Sequence, residues 1–149
     1  MDELKNNPQI IELLETLEEN GMHKEKGEVS ALVSYIGDME HTLSAMLVEM
    51  QEMRKEVNMI HNSSVKAKCE NLIQTADGKI RQGVAAVSKA KNNLIASAAN
   101  AMKAFREKGK EALKNAVKAM KSPETLDKLG KVFHSFAVSM NGNVQNVQN

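Results

Sequence analysis

The chain has 149 residues, of which 42% are apolar, 26% are charged and only 3% are aromatic. This length fits one domain with a modest core, and the apolar share is too high for simple disorder. Two prolines and eight glycines cannot terminate the many short strands of a β-sandwich or barrel. A single cysteine excludes a disulfide framework and a cysteine-based zinc site. The composition therefore excludes an all-β fold, and the helical periodicity described below predicts an all-α protein.

The sequence also predicts the compartment. The N-terminal residues are polar and acidic, and they lack the basic and apolar regions of a signal peptide. No apolar stretch approaches the roughly 18 residues that a membrane-spanning helix needs. One free cysteine and ten methionines fit a reducing environment. We therefore expect a cytoplasmic protein.

Charge is distributed unevenly along the chain, although the net charge is only +1. Residues 1–61 contain 13 acidic and 5 basic side chains, a net charge of −8. Residues 62–122 contain 4 acidic and 13 basic side chains, a net charge of +9. Two interpretations are open. The two segments pack as antiparallel helices and screen each other, or the basic segment faces an external polyanion such as nucleic acid or anionic lipid.

The first predicted helix spans about residues 8–20, and the sequence marks both of its ends. Asn7 and Pro8 form a typical N-cap and first helical residue, because proline lacks the N–H that would stay unpaired there. Gly21 can adopt the left-handed conformation that ends a helix. A polar connector over residues 23–27 is expected to follow.

The second predicted helix spans about residues 28–61 and carries a heptad repeat. Ten apolar side chains alternate at spacings of three and four without an error, which is typical of a coiled-coil seam. An additional pair of apolar side chains, Val33 and Leu47, widens the stripe and favours a bundle of three or four helices. The ten residues, called the heptad seam below, are the predicted interaction surface for a protein partner or a second copy: Val29, Leu32, Ile36, Met39, Leu43, Met46, Met50, Met53, Val57 and Ile60.

The third predicted segment spans residues 65–121, after a break in which a serine is expected to cap the helix. Its apolar side chains follow an eleven-residue cycle, close to the period of a straight helix, and most of its basic side chains occupy the other side. Lys91 lies in the apolar sector, and the pattern does not explain it. One helix of this length would reach about 85 Å, so we expect it to be interrupted. The candidate breaks lie near Asp77-Gly78, Asn92-Asn93 or Gly109.

A last helix is predicted over about residues 123–140, where Ser122 and Pro123 repeat the N-cap and proline start. Residues 143–149 form a low-complexity tail that we expect to be disordered. The segments together predict a single helical domain over residues 1–142. Its architecture is an elongated antiparallel helical bundle or coiled coil of three to four helices.

No constellation of residues for catalysis is present in the sequence. The methionines of the heptad seam lie at core positions, and the glutamates of the first two helices lie off the apolar stripes, on solvated faces. Cys69 has neither a resolving cysteine nor a neighbouring histidine. We therefore expect no enzymatic activity, no cofactor and no metal site.

Seven basic side chains crowd into the end of the third segment and are the candidate nucleic-acid-binding residues. Contacts to phosphate need lysine and arginine, but arginine is the preferred reader of bases and occurs here only once, so binding would be independent of sequence. An alanine-rich apolar face with a single aromatic side chain disfavours a membrane surface. The seven residues are Lys103, Arg106, Lys108, Lys110, Lys114, Lys118 and Lys121.

The N-terminal third of the chain also resembles a known group of proteins. The segments that carry the resemblance are IIELLETLEENG, residues 10–21, and VSALVSYIGDMEHTLSAMLVEMQEM, residues 29–53. They are similar to an uncharacterised all-helical family of unknown function encoded on conjugative mobile elements of gut Firmicutes. The resemblance implies a bacterial cytoplasm and an accessory gene, and it implies no activity and no site residues.

Two functional hypotheses follow. The sequence favours a non-enzymatic helical interaction or scaffold protein that acts through the heptad seam. The alternative is a sequence-independent nucleic-acid-binding accessory protein of a mobile element, which uses the basic helix over residues 103–121. The first hypothesis needs a seam that is open to a partner. The second needs lysines that are not paired with the chain's own carboxylates.

Overall fold

The computed structural model describes residues 4–120, and over that range the chain forms four α-helices and no strand. The predicted all-α helical bundle is confirmed. The predicted helix over residues 123–140, the tail over 143–149 and Lys121 lie outside the described residues. In chain order the helices are α1, Pro8–Glu19; α2, His23–Asn58; α3, Ser63–Lys108; and α4, Lys110–Met120.

Asparagine caps the start of two helices. The side-chain oxygen of Asn7 accepts hydrogen bonds from the N–H groups of Gln9 at 3.0 Å and Ile10 at 3.3 Å, as the sequence predicts for α1. Asn62 caps α3 in the same way, with distances of 3.0 and 3.1 Å to the second and third helical N–H groups. The expectation of a serine cap for α3 is therefore wrong, because Ser63 is already the first helical residue.

A left-handed glycine ends α1. Gly21 has a φ of 70°, and its N–H donates to the carbonyl of Glu18 at 3.1 Å. The next N–H, of Met22, donates to the carbonyl of Leu17 at 2.9 Å. This pair of bonds is the Schellman motif, which satisfies carbonyls that a helix end would otherwise leave unpaired.

The polar connector expected over residues 23–27 is wrong, because α2 begins at His23. The N–H of Lys26 donates to the carbonyl of Met22 at 3.0 Å and closes the first turn at once. The carboxylate of Glu18 then binds the side chains of His23 and Lys26, each at 3.1 Å. These contacts stabilise the first turn of α2, so the glycine at position 27 does not interrupt it.

Helices α2 and α3 are the two longest helices of residues 4–120, and they pack against each other. Four residues connect them, so the two helices run antiparallel. With 36 and 46 residues, they extend about 54 and 69 Å at 1.5 Å per residue. Gly83 of α3 is buried, and a Cβ atom at that position would lie 3.2 Å from Cδ2 of Leu43 in α2. The two helices therefore approach closely where α3 lacks a side chain.

Two ion pairs connect α2 and α3. Glu40 lies 3.3 Å from Nζ of Lys91, which explains a lysine in the apolar sector of α3. Asp77 accepts from Arg54 of α2 at 3.4 Å and from Arg81 of its own helix at 2.7 Å. Helix α3 is continuous through Asp77-Gly78 and Asn92-Asn93, so breaks at these two sites are not found.

The third predicted segment breaks at Gly109, which was one of the three candidate sites. This residue has a φ of 87°, a conformation that glycine adopts without steric cost. Helix α4 starts directly after it and packs against α3 and α2, burying Leu113, Val117 and Met120. Helix α1 also packs against α2 and α3. Within residues 4–120, α1 and α4 do not contact each other.

Candidate nucleic-acid interface

The heptad seam lies mostly inside the chain's own core. Seven of its ten side chains are buried, with exposures from 0 to 7%. Met46 and Ile60 are partly buried against the same core, and Met53 is 39% exposed. The buried members pack on helices of the same chain. Only the distal part of the seam, which comprises Met46, Met53 and Ile60, has surface left for a partner.

The basic cluster, defined here as Arg106 and the five lysines 103, 108, 110, 114 and 118, lies at the surface. All of its members are exposed except Lys114, which is half-buried. Residues 103–120 contain six basic and two acidic side chains, a net charge of +4. Lys121, the seventh predicted residue, lies outside the part of the chain that the structure describes.

Three lysines of the cluster form a row along α4. Lys110, Lys114 and Lys118 are four residues apart, so they lie on one side of the helix with a rise of about 6 Å between neighbours. The adjacent side of α4 is anchored by Leu113 and Val117, which have no exposed surface. The apolar side therefore fixes the helix on the bundle while the lysine row stays in solvent.

Arg106 is the one member of the cluster that is held by an acidic side chain within residues 4–120. Its guanidinium donates to the carboxylate of Glu12 in α1. None of the five lysines forms an ion pair with another residue in that range. Ion pairs between the acidic and basic segments therefore involve Arg54, Lys91 and Arg106. They do not involve these five lysines.

The carboxylates with the clearest electrostatic stabilisation lie away from the basic cluster. Hydrogen bonds from Lys26 and then His23 hold the pKa of Glu18 below its usual value. A hydrogen bond from Arg81, with further attraction from Arg54, lowers the pKa of Asp77. Both groups stay ionised at neutral pH and join neighbouring elements. The cations that bind Glu18 and Asp77 are therefore paired with carboxylates, unlike the lysines of the basic cluster.

The described residues contain no group of three or more histidine, cysteine, aspartate or glutamate side chains that could hold a metal ion. Met39 and Met50 are buried with the core, and the thiol-bearing Cys69 is partly buried against it. In the same residue range, none of the helices has a stretch that is both long and apolar enough to cross a bilayer.

One surface feature was not predicted from the sequence. A groove of about 330 Å³ runs beside α1, lined by Ile11, Leu14, Glu15, Glu18, Glu19 and, from α2, Lys26. Its carboxylates were expected to form a solvated face, and its apolar floor was assigned to no site. The signal in the sequence was Ile11, which directly follows the core residue Ile10 and so points to a different side of the helix. In the fold Ile11 is 38% exposed.

The model of one protein family, described as Family of unknown function (DUF6674), matches residues 6–149. No curated protein and no solved structure matches the chain. The family match covers nearly the whole sequence, including the basic cluster for which the sequence alone offered no resemblance. The chain therefore belongs to this family.

Proposed function

We propose that this member of the family of unknown function is a non-enzymatic binding protein whose ligand is the phosphate backbone of nucleic acid. The binding surface is the basic cluster, with the lysine row of α4 at its centre. The observation that carries the proposal is the contrast between the two candidate surfaces. The lysines are at the surface without acidic partners in the described residues, whereas most of the heptad seam is covered by the chain's own helices.

The chemistry of the basic cluster supports recognition of phosphates rather than of bases. Lysine is a compact point charge on a flexible stem, and it contacts a phosphate without a fixed orientation. Bidentate reading of guanine is typical of arginine, but the single arginine of the cluster, Arg106, is engaged by Glu12. Contacts to phosphates position a protein on nucleic acid without reading its sequence. We therefore propose binding that is independent of sequence.

The proposed setting is a bacterial cytoplasm, and the proposed role is that of an accessory protein of a conjugative mobile element. The support for this setting is the resemblance of residues 10–21 and 29–53 to proteins of such elements. A protein that binds nucleic acid without sequence preference suits such a role, because contacts with phosphate are available along any nucleic acid.

Fluorescence anisotropy of a labelled random DNA duplex tests the proposal. The protein is titrated at about 50 mM and about 200 mM salt, because displacement of counterions makes contacts with phosphate sensitive to salt. We expect binding at the lower salt concentration, a steep loss at the higher one, and equal competition by unlabelled duplexes of unrelated sequence. Absence of binding at the lower salt concentration would contradict the proposal.

A second candidate function rests on the distal part of the heptad seam. Met53 lies at a core position of the repeat but is 39% exposed, so an apolar side chain is available to a partner helix. If this surface pairs helices, Met53→Glu abolishes an association that high salt does not weaken. The matched control is Val48→Glu, because Val48 is 59% exposed and lies on the opposite side of α2. Masses from light scattering that are identical for the wild type and both variants would exclude this candidate.

A further inference from the structure

Helix α1 has an apolar side in addition to the one that it buries in the core. Three of its side chains have no exposed surface: Ile10, Leu13 and Leu17. Ile11 is 38% exposed and Leu14 is half-buried, and these two form the floor of the groove beside α1. Lys26 closes the groove on the side of α2, which packs against α1. The groove therefore lies along a pair of packed helices, where a further helix can lie.

The outer edge of this groove is acidic. Helix α1 contains four glutamates and no basic residue. Two of these glutamates bind cations of the same chain. The other two, Glu15 and Glu19, line the groove, are exposed and form no ion pair with any residue between 4 and 120. Because they are four residues apart on one helix, their charges repel each other until a cation lies beside them.

The floor and the edge together define the chemistry of an occupant. An apolar groove along a helix binds the apolar side of an amphipathic helix. Ile11 and Leu14 are three residues apart, a rise of about 4.5 Å, which matches apolar side chains three or four residues apart on such a helix. Cations four residues apart on its flank match the spacing of Glu15 and Glu19.

We propose that the groove beside α1 binds a cationic amphipathic helix of another protein. Apolar side chains of that helix cover Ile11 and Leu14, and its lysine or arginine side chains pair with Glu15 and Glu19. The lysine row takes no part in this contact, because α1 and α4 do not contact each other within residues 4–120. If α4 binds nucleic acid as proposed above, the chain joins a cationic protein helix to nucleic acid.

The test is the binding of a labelled peptide to the full-length chain, measured by fluorescence anisotropy without nucleic acid in about 0.1 M salt. The probe is an alanine-based helical peptide with leucines on one side and lysines four residues apart on one flank. A second peptide has the same composition, in an order that separates the leucines around the helix. We expect the first peptide to bind about tenfold or more tightly than the second. Equal binding of both peptides, or no binding of the first, would overturn the proposal.

Two variants locate the contact on α1. Glu15→Gln/Glu19→Gln removes the charges at the edge, and Ile11→Ser removes the most exposed part of the floor. All three side chains are exposed, so the core stays packed, and circular dichroism confirms that each variant remains helical. Each variant should bind the first peptide about fivefold or more weakly than the wild type. Unchanged binding by both variants would place the peptide outside the groove.

The matched control is Glu49→Gln/Glu56→Gln, which makes the same change of net charge at exposed glutamates of α2. It should leave peptide binding unchanged, and a loss as large as that of Glu15→Gln/Glu19→Gln would contradict the proposed contact. Peptide binding and duplex binding are measured separately, so the two proposals fail separately. A chain that binds the peptide but no duplex contradicts only the nucleic-acid proposal, and the reverse result contradicts only the proposed groove contact.

Discussion

The close approach of α2 and α3 at Leu43 and Gly83 makes a quantitative prediction about stability. Leu43 is 1% exposed, so Leu43→Ala removes a fully packed side chain. The expected loss in free energy of unfolding is about 3 kcal/mol, within the usual range for large-to-small changes in a core. Gly83→Ala has two opposing effects. Alanine in a helix interior gains about 0.5–1 kcal/mol, but its Cβ would lie 3.2 Å from Leu43.

The two substitutions should therefore be coupled. In the wild-type background the steric contact offsets the helix gain, and Gly83→Ala should change the stability by less than about 0.5 kcal/mol. In the Leu43→Ala background the contact is gone, and the same substitution should stabilise by about 0.5–1 kcal/mol. Gly78 is the control, because it lies in the same helix and a Cβ there would meet no atom within 4 Å. Gly78→Ala should stabilise equally in both backgrounds.

Urea unfolding followed by far-ultraviolet circular dichroism gives the four free energies of the cycle. The result that refutes the reasoning is an equal gain for Gly78→Ala and Gly83→Ala in the wild-type background. Such a result would mean that no side chain of α2 reaches the backbone of α3 at this position.

Three further predictions concern an ion pair inside α3 and the residues at the two ends of that helix. Asp77→Asn removes the acceptor of Arg54 and Arg81 and should cost about 1 kcal/mol at neutral pH. The fold lowers the pKa of Asp77. Its contribution to stability is therefore present above its ordinary pKa and is lost as the pH falls through the folded-state pKa. The free energies of unfolding of the variant and the wild type should thus differ less near pH 3 than near pH 7. Asn62→Ala removes the cap of α3 and should cost about 1 kcal/mol in urea unfolding, whereas no change would mean that the cap is not formed in solution. Gly109→Ala places a Cβ at a φ of 87° and should cost about 1–2 kcal/mol, measured as a lower thermal midpoint; an unchanged midpoint would contradict the left-handed joint between α3 and α4.

The sequence predicts the helices best where the signal is local. Asn7 and Pro8 start α1 and Gly21 ends it, because caps and left-handed glycines act through neighbouring backbone groups. The heptad repeat also predicts a buried face, and Met53 is the one member of the seam that is exposed. These features depend on spacing alone, and the spacing is visible in the sequence.

The features that the sequence does not predict depend on distant partners. Helix α3 continues through Asp77-Gly78 although both residues are poor helix formers, because Asp77 binds Arg54 from the opposite helix. Lys91 is accommodated by Glu40, which is 51 residues away. The immediate start of α2 at His23 is a different case, because its partner Glu18 lies only five residues earlier and the contact needs the turn at Gly21.

The candidate nucleic-acid interface could also be predicted from the sequence only in part. The crowding of lysines in the chain is visible in the sequence, and so is their spacing along α4. Whether acidic side chains neutralise them depends on which faces of α1 and α2 meet α3 and α4. That arrangement requires the fold, in which Glu12 reaches Arg106 and Glu15 reaches no basic side chain in the described residues.

The measurement that tests the central claim most directly is the salt dependence of duplex binding by two matched variants. Three phosphate contacts by the lysine row contribute about −2.7 to the slope of log K against log salt, which alone corresponds to a loss of about 40-fold between about 50 and about 200 mM salt. Lys110→Gln/Lys118→Gln removes two of these contacts and should make the slope less steep by about 1.8. Lys68→Gln/Lys89→Gln changes the net charge equally at exposed lysines of α3 and should keep the wild-type slope. Equal slopes for the two variants would contradict the assignment of the lysine row as the nucleic-acid interface.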